Sequence, residues 1–344
     1  MSERPFADEA AGLPARRFAF SLVTRVLDQR ITLDEASQAL AAVAGRMPPR
    51  DAAFGRAIAY AALRHKGSLE AMLARFIPRP LPAHGLAASR VLLCGAAELV
   101  VLDGKAHAAV DGANRLAVAT LGAKPFKPLV NAVLRRIAQE GRAVYERLDA
   151  PRCDTPDWLW RRWEAAYGES RARAIAEAHG APAPLDLTLR GAGDAEAWAA
   201  RLEAQAVGAG SLRLGDHGAV ERLPGFEEGA WWVQDAGAAV PARVLLDLLG
   251  DANGKSVIDL CAAPGGKTLQ LASAGAKVIA VDSSAARLKR LAANLERTAL
   301  KAEIVAADAR QWRPDRAADA VLLDAPCSAT GTIRRHPELP WIRD

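Results

Sequence analysis

At 344 residues the chain has room for two or three domains and a sizeable core. With 51% apolar and 25% charged residues it is composed like a globular protein, which excludes a disordered, collagenous or low-complexity chain. The net charge of +5 conceals a split: residues 1–150 carry 21 Lys/Arg against 14 Asp/Glu, a net of +7, and the remainder carries a net of −2. A basic first part points to a polyanion such as nucleic acid, although many basic domains bind none.

The N-terminus, Met-Ser-Glu-Arg-Pro, has no apolar stretch of the secretory type. The longest nearly uninterrupted apolar run, Val91 to Leu102, already contains Glu98 and is too short to span a bilayer. Neither a membrane nor an export route is therefore expected. No two of the four cysteines, Cys94, Cys153, Cys261 and Cys327, lie within fifty residues of each other, so no metal-type C-x-x-C spacing exists and no metal is expected. A reducing, cytoplasmic setting is the default.

Residues 1–145 read as one helix after another. Arg16 to Asp28 places Phe18, Leu22, Val23, Val26 and Leu27 at helical spacing. Helices follow over Asp34–Val43 and Asp51–His65, with Asp51 as N-cap after Pro48-Pro49. The apolar segment Gly85–Leu102 reads as the buried central helix. His107–Leu121 and a helix after Pro125 and Pro128, ending in Arg135 and Arg136, complete an all-α bundle. Residues 146–235 are punctuated by prolines and glycines. Short helices (Pro156–Tyr167, Glu169–Ala178, Asp194–Ala204) alternate there with extended runs (Leu185–Leu189, Ser211–Leu214), the pattern of a small α+β module. Six tryptophans cluster in it, Trp158, Trp160, Trp163, Trp198, Trp231 and Trp232. Packing is the favoured reading, and stacking on unpaired bases the alternative.

Residues 236–344 alternate helix and strand: helix Val240–Leu249, strand Val257–Leu260, helix Lys267–Ala274 stopped by Gly275, strand Val278–Asp282, helix Ser284–Leu300, then strands Glu303–Asp308 and Ala320–Asp324. This order predicts a parallel, doubly wound α/β sheet of Rossmann-like type, with its ligand at the strand C-termini. The strands run into Asp259, Asp282, Asp308 and Asp324, which gathers four carboxylates along that edge. The loop after the first strand carries Gly265 and Gly266, where a ligand would approach the backbone just before a helix N-terminus. A P-loop fails, because its first glycine falls on Cys261, and G-x-G-x-x-G is absent. What remains is a nucleoside cofactor with a ribose diol and no phosphate. S-adenosylmethionine fits, with Asp282 accepting from both ribose hydroxyls.

Asp324 opens the run Asp324-Ala-Pro-Cys327. A thiol beside a methyl donor suits one chemistry in particular. C5 of cytosine is a poor nucleophile until a thiolate adds to C6 and makes C5 carbanion-like. Asp324 would hydrogen-bond the pyrimidine edge. Arg334 and Arg335, just beyond, would contact the target backbone, or form a solvated charged face.

The stretches D-L-C-A-A-P-G-G-K-T at 259–268 and D-A-P-C-S-A-T-G-T-I-R-R-H-P at 324–337 resemble motifs I and IV of the RNA cytosine-C5 methyltransferases. H-A-A-V at 107–110 and V-N-A-V-L-R-R at 130–136 resemble a NusB-like helical domain, and G-A-W-W-V-Q-D-A at 229–236 resembles the segment that enters the methyltransferase domain. The resemblance covers essentially the whole chain. It implies three segments: a NusB-like RNA-binding domain (1–145), a small linking module (146–235) and a methyltransferase domain (236–344). It implies a cytosine of 16S ribosomal RNA as substrate. It also implies S-adenosylmethionine contacts from Cys261, Ala262, Ala263, Pro264, Gly265, Gly266, Lys267, Asp282, Asp308 and Asp324. Arg135 and Arg136 would help to hold RNA, and a monomer is expected.

Two departures stand out. Ala329 occupies a position that is usually glycine in motif IV. Family members also continue past Trp341 with three more strands and a second cysteine, the presumed C6 nucleophile, so this chain is expected to lack that thiol and to turn over poorly. Cys327 is then either the nucleophile, as the Pro-Cys cysteine is in DNA cytosine methyltransferases, or a thiol that assists product release. The competing readings are a DNA cytosine-C5 methyltransferase and a non-catalytic NusB-like RNA-binding or antitermination factor.

Overall fold

The computed structural model describes residues 12–77, 79–191, 195–208, 210–215 and 218–344. The chain divides into two compact units, residues 12–182 with 328–344, and residues 183–327.

The first unit is helical. It comprises α1 (Leu13–Gln29), α2 (Leu33–Ala39), α3 (Ala41–Gly45), α4 (Pro49–Arg64), α5 (Lys66–Phe76), α6 (Leu86–Ala96), α7 (Ala106–Ala119), α8 (Lys127–Arg136), α9 (Arg142–Tyr145), α10 (Ala150–Cys153), α11 (Asp157–Tyr167) and α12 (Glu169–His179). The apolar stripe of α1 is buried at Phe18, Leu22, Val23 and Val26, as its spacing requires. The central segment is continuous in the chain but changes pitch: a 3₁₀ turn at Ala83–Gly85, then α6, then a π-helical turn at Ala97–Val101. Ala83–Val101 is long and apolar enough to cross a membrane, yet 67% of it is buried inside the protein. Glu98 in it is buried and accepts from Arg16 Nε at 2.8 Å, with a second bond from Arg16 Nη2.

Asp51 is not the cap of α4. Pro48 takes that position and Pro49 starts the helix, because a proline at the first turn forfeits no hydrogen bond; Asp51 lies in the first turn instead. Helix α5 has no counterpart among the sequence-predicted elements. Helices α10 to α12 belong to the helical unit, so the sequence-predicted module beginning at residue 146 is divided.

Residues 328–344 also pack in this unit. Ile333, Leu339 and Ile342 join its core. Trp341 Nε1 donates to Leu63 O at 2.8 Å, Trp158 Nε1 to Pro340 O at 3.1 Å, and the backbone N–H of Leu33 to the fully buried Glu338 at 3.1 Å.

The second unit contains two sheets. β1 (Leu185–Leu189), β2 (Gln205–Ala206), β3 (Ser211–Leu214) and β4 (Trp231–Val233) form an antiparallel sheet in the order β2-β3-β1-β4, with α13 (Ala195–Arg201) beside them. Asp194, expected to begin that helix, lies outside the described residues, as do Gly193 and the N-terminal Met-Ser-Glu-Arg-Pro. Trp231 and Trp232 are buried here, and Trp160 and Trp163 in the helical unit, so packing accounts for these four indoles.

β5 (Ser256–Leu260), β6 (Lys277–Asp282), β7 (Glu303–Ala306) and β8 (Ala320–Leu323) form a wholly parallel sheet in the order β7-β6-β5-β8. Helices α14 (Ala236–Leu249), α15 (Gly266–Ser273) and α16 (Ala285–Arg297) alternate with them. α16 buries Leu288, Leu291 and Leu295, and Ser284 caps it by accepting from Arg287 N at 3.3 Å. β8 lies at a sheet edge and leaves Val321 and Leu323 more than half exposed.

Candidate active site

The loop from β5 to α15 is pinned by its own backbone. Cys261 adopts a left-handed conformation (φ 61°) and Gly265 a more extreme one (φ 112°). A Cβ on Gly265 would lie 3.0 Å from Leu291 Cγ, and one on Gly266 3.0 Å from Gln234 Cδ. The left-handed backbone at Gly265 and the tight packing of both positions against Leu291 and Gln234 favour glycine already in the protein alone, a preference that sequence reasoning had assigned to a ligand. Ala262 N donates to Val281 O at 3.1 Å, and Ala263 N to Asp282 Oδ2 at 3.1 Å, so the loop leans on the end of β6. Ala262 and Ala263 are buried, whereas Pro264 is exposed.

Asp282, the last residue of β6, is buried. Each of its oxygens takes one backbone N–H, from Ala263 and from Ser284 (2.9 Å). A carboxylate has about four acceptor positions, so both oxygens retain capacity for further donors. Arg287 Nη2 stands 3.6 Å from Asp282 and donates to the carbonyl of Ala263 as well, which ties strand end, loop and helix together. Sequence reasoning missed Arg287. Its signal was electrostatic: a cation in the first turn of a helix opposes the helix dipole and calls for a nearby anion.

Asp259 sits inside β5, one residue before its end. It accepts from Thr268 Oγ1 at 2.6 Å, and burial pushes its carboxyl up to about 6 against the opposing hydrogen bond from Thr268. The charges of Asp324 and Asp282 push it the same way. Lys267 Nζ donates to Asp324 Oδ2 at 2.6 Å, with the lysine largely buried and the aspartate largely exposed. Burial raises the Cys261 thiol above its ordinary value, and the neighbouring Asp282 adds to the effect. The structure therefore brings Cys261, Asp259, Lys267, Asp282, Arg287 and Asp324 together at the strand C-termini.

Asp308 lies two residues beyond β7 and is gripped by Arg310, whose N, Nε and Nη2 donate to it at 2.9, 3.1 and 2.6 Å. The Arg310 side chain holds its carboxyl down at about 2. Cys327 follows β8 by four residues, is exposed, and is in no disulfide. Ala329 has φ 55°, a left-handed conformation that explains why glycine suits this position.

The four arginines expected to meet RNA differ in setting. Arg334 Nη2 donates to Pro182 O at 2.7 Å, and its own carbonyl accepts from Arg64, so it braces the helical unit. Arg335 is half-buried. Arg136 lies 5.1 Å over the Phe76 ring and 3.9 Å from Glu140, while Arg135 is exposed beside a cleft. Among the described residues no group of three or more His, Cys, Asp or Glu is placed to hold a metal ion.

Residues 246–344 match the family described as 16S rRNA methyltransferase RsmB/F, and residues 13–139 match the NusB family. The chain is 34% identical over 343 residues to the ribosomal RNA small subunit methyltransferase B of Erwinia tasmaniensis, covering 95% of this chain and 78% of the relative. It is 36% identical over 345 residues to the protein of the same name from Xanthomonas campestris, covering 96% and 76%. The solved structure of PH0851 shares the fold at a TM-score of 0.69 and 20% identity, over 98% of this chain and 79% of that one.

Proposed function

The chain belongs to the 16S rRNA methyltransferase RsmB/F family, and from that premise we propose that it transfers the methyl group of S-adenosylmethionine to C5 of a cytosine in 16S ribosomal RNA. The observation that carries the cofactor reading is the end of β6, where a buried carboxylate with spare acceptor capacity stands against a backbone loop and carries no phosphate-binding motif beside it. That chemistry fits a ribose diol. Asp282 would accept from the two hydroxyls, and the loop from Cys261 to Lys267 would border the cofactor. Asp308, kept charged by Arg310, adds an acceptor beside the neighbouring strand. S-adenosylmethionine supplies an electrophilic methyl on a sulfonium.

The chain's own residues prepare the acceptor base. Asp324 takes a hydrogen bond from the pyrimidine edge while Lys267 holds its carboxylate in place. Cys327 takes part in the covalent cycle, either as the thiol that adds to C6 or as the one that assists release of the product; its exposure suits contact with a base that must be unpaired or flipped out. The surplus of basic residues in the first 150 would hold the RNA largely through phosphates, with salt-sensitive affinity, and Arg135 and Arg136 are the exposed ones among the assigned contacts. A thiol that must remain reduced fits the reducing cytoplasm.

The test is methyl transfer from tritiated S-adenosylmethionine to 16S ribosomal RNA, with duplex DNA as competitor, together with trapping on RNA containing 5-fluorocytidine. Label at cytosine C5 in RNA alone supports the proposal. Absence of cofactor binding by the folded chain refutes it. A Cys327→Ser chain that forms no trapped adduct identifies Cys327 as the nucleophile; one that accumulates adduct on ordinary RNA assigns the thiol to product release.

A further inference from the structure

Helices α7 and α8 run side by side in the helical unit, and between them opens a cleft of about 400 Å³ that plays no part in the chemistry above. Its floor is partly apolar, with Ala106, Val110 and Ala138, and the remaining lining side chains are polar. α7 contributes His107, Asp111 and Asn114. α8 contributes Asn131 and Arg135, and Gln139 follows one turn on. At 2.7 Å the Asn114 Nδ2 donates to Asn131 Oδ1, which leaves Asn114 Oδ1 buried and without a hydrogen-bond partner among the described residues. The two walls differ in sign: Asp111 is an anion on α7, held by Arg115 at 2.8 Å, and Arg135 is an exposed cation on α8 with no ion pair among the described residues.

We propose that this cleft is a subsite for one unpaired guanine of the substrate RNA, read by Asp111 on one wall and Arg135 on the other. The inference rests on the reading of the chain as a ribosomal RNA enzyme. Guanine alone among the four bases presents a pair of adjacent donors, N1–H and N2–H, to a carboxylate and a pair of adjacent acceptors, O6 and N7, to a guanidinium. The exposed ring of His107 offers a stacking face. Single-stranded bases are bound in this way, by edge hydrogen bonds and a stacked plane. The volume exceeds one base, which leaves room for the attached ribose. Such a pocket sets register: it fixes a nucleotide away from the reacting cytosine, so that the choice of target depends on the RNA held by the helical unit.

Fluorescence anisotropy with labelled single-stranded RNA nonamers tests it. The nonamers are U₄GU₄, U₄AU₄ and U₉, each titrated into the full chain. The guanine nonamer is expected to bind about tenfold more tightly than the other two, since one good bidentate base contact discriminates by about 1–3 kcal/mol, or about five- to a hundredfold. Asp111→Asn is expected to remove the preference and leave U₉ binding unchanged. Arg135→Ala is expected to remove it and also to weaken all three nonamers through lost phosphate attraction. Circular dichroism checks that the variants are folded; among the described residues Asp111 pairs only with Arg115 on its own helix, so the bundle does not depend on it. Equal binding of the three nonamers, or a guanine preference that survives Asp111→Asn, overturns the proposal. Calorimetry of the unmodified chain with S-adenosylmethionine reads the enzyme assignment separately, so the two failures are distinguishable.

Discussion

Replacing Asp282 by alanine tests the cofactor site and its scaffold at once. The carboxylate holds two backbone N–H groups, those of Ala263 at 3.1 Å and Ser284 at 2.9 Å, and faces Arg287 at 3.6 Å. Truncation orphans the buried Ala263 N–H, at about 1–3 kcal/mol, and releases the first residues of α16. The Ser284 N–H is less enclosed and is expected to recover water. Arg287 keeps only its bond to the Ala263 carbonyl. A stability loss of about 2–3 kcal/mol follows for the second unit. For the cofactor, two hydrogen bonds from ribose hydroxyls to a charged acceptor are worth about 1.5–3 kcal/mol each before the remaining hydration is counted. Even one of them, at about 1.4 kcal/mol per decade, weakens S-adenosylmethionine by at least tenfold. Calorimetry at a temperature where the variant is folded, beside urea unfolding of both chains, separates the two effects. Asp282→Asn is not a conservative control, because its amide N–H₂ would face a backbone N–H. Unchanged cofactor affinity in a folded Asp282→Ala chain would refute the assignment, whatever the stability.

Three further outcomes are expected. Glu98→Ala should cost about 3–5 kcal/mol, because it leaves the Arg16 guanidinium buried and unpaired, whereas the double change Arg16→Met with Glu98→Leu should recover most of it; chemical denaturation of the three chains checks this. Ala329→Gly should stabilise the chain by up to about 1 kcal/mol, since it relieves a left-handed alanine at some cost in unfolded-state entropy, and thermal unfolding reads the shift. The pH dependence follows from Asp259, whose folded value of about 6 lies above its ordinary 3.8. The folded state binds the proton more tightly, so this group contributes stability that is present below about 4 and is lost as pH rises through 6, about 3 kcal/mol in all. Asp308, held at about 2, acts in the opposite sense: its contribution is present above about 4 and is lost as pH falls towards 2. Urea unfolding at pH 5, 6 and 7.5 should show a fall in stability in the parent chain relative to Asp259→Asn, which keeps only the contributions of His179 and His336; equal slopes would contradict it.

Much of the architecture was legible from one sequence because it depends on local pattern. The stripe Leu288, Leu291, Leu295 specifies an amphipathic helix, and the short apolar strands of the last third specify a buried parallel sheet. Motif I and the acidic strand ends located the site for the same reason, since neighbours in sequence are neighbours at a strand C-terminus. What escaped depended on partners distant in sequence. Helix α5 escaped for another reason: its stripe Leu69, Met72, Leu73 and Phe76 has helical spacing, but it follows α4 directly at His65, with no proline between them to mark a new helix. Arg287 gained its meaning only when Asp282 and Ala263 came within reach.

The sequence by itself determined the element types, their alternation along the chain and the loop at which the chemistry is assembled, because these follow from periodicity and from residues a few positions apart; the order of the strands within the sheet came from the tertiary structure. Only the tertiary structure decided the rest. It made packing favour Gly265 and Gly266, buried Asp259 so that its carboxyl titrates near 6, and used Arg334 as a brace against Pro182. It also placed residues 328–344 in the helical unit, although they follow the last strand of the sheet. Burial and long-range contact set those properties, and neither is encoded in spacing along the chain.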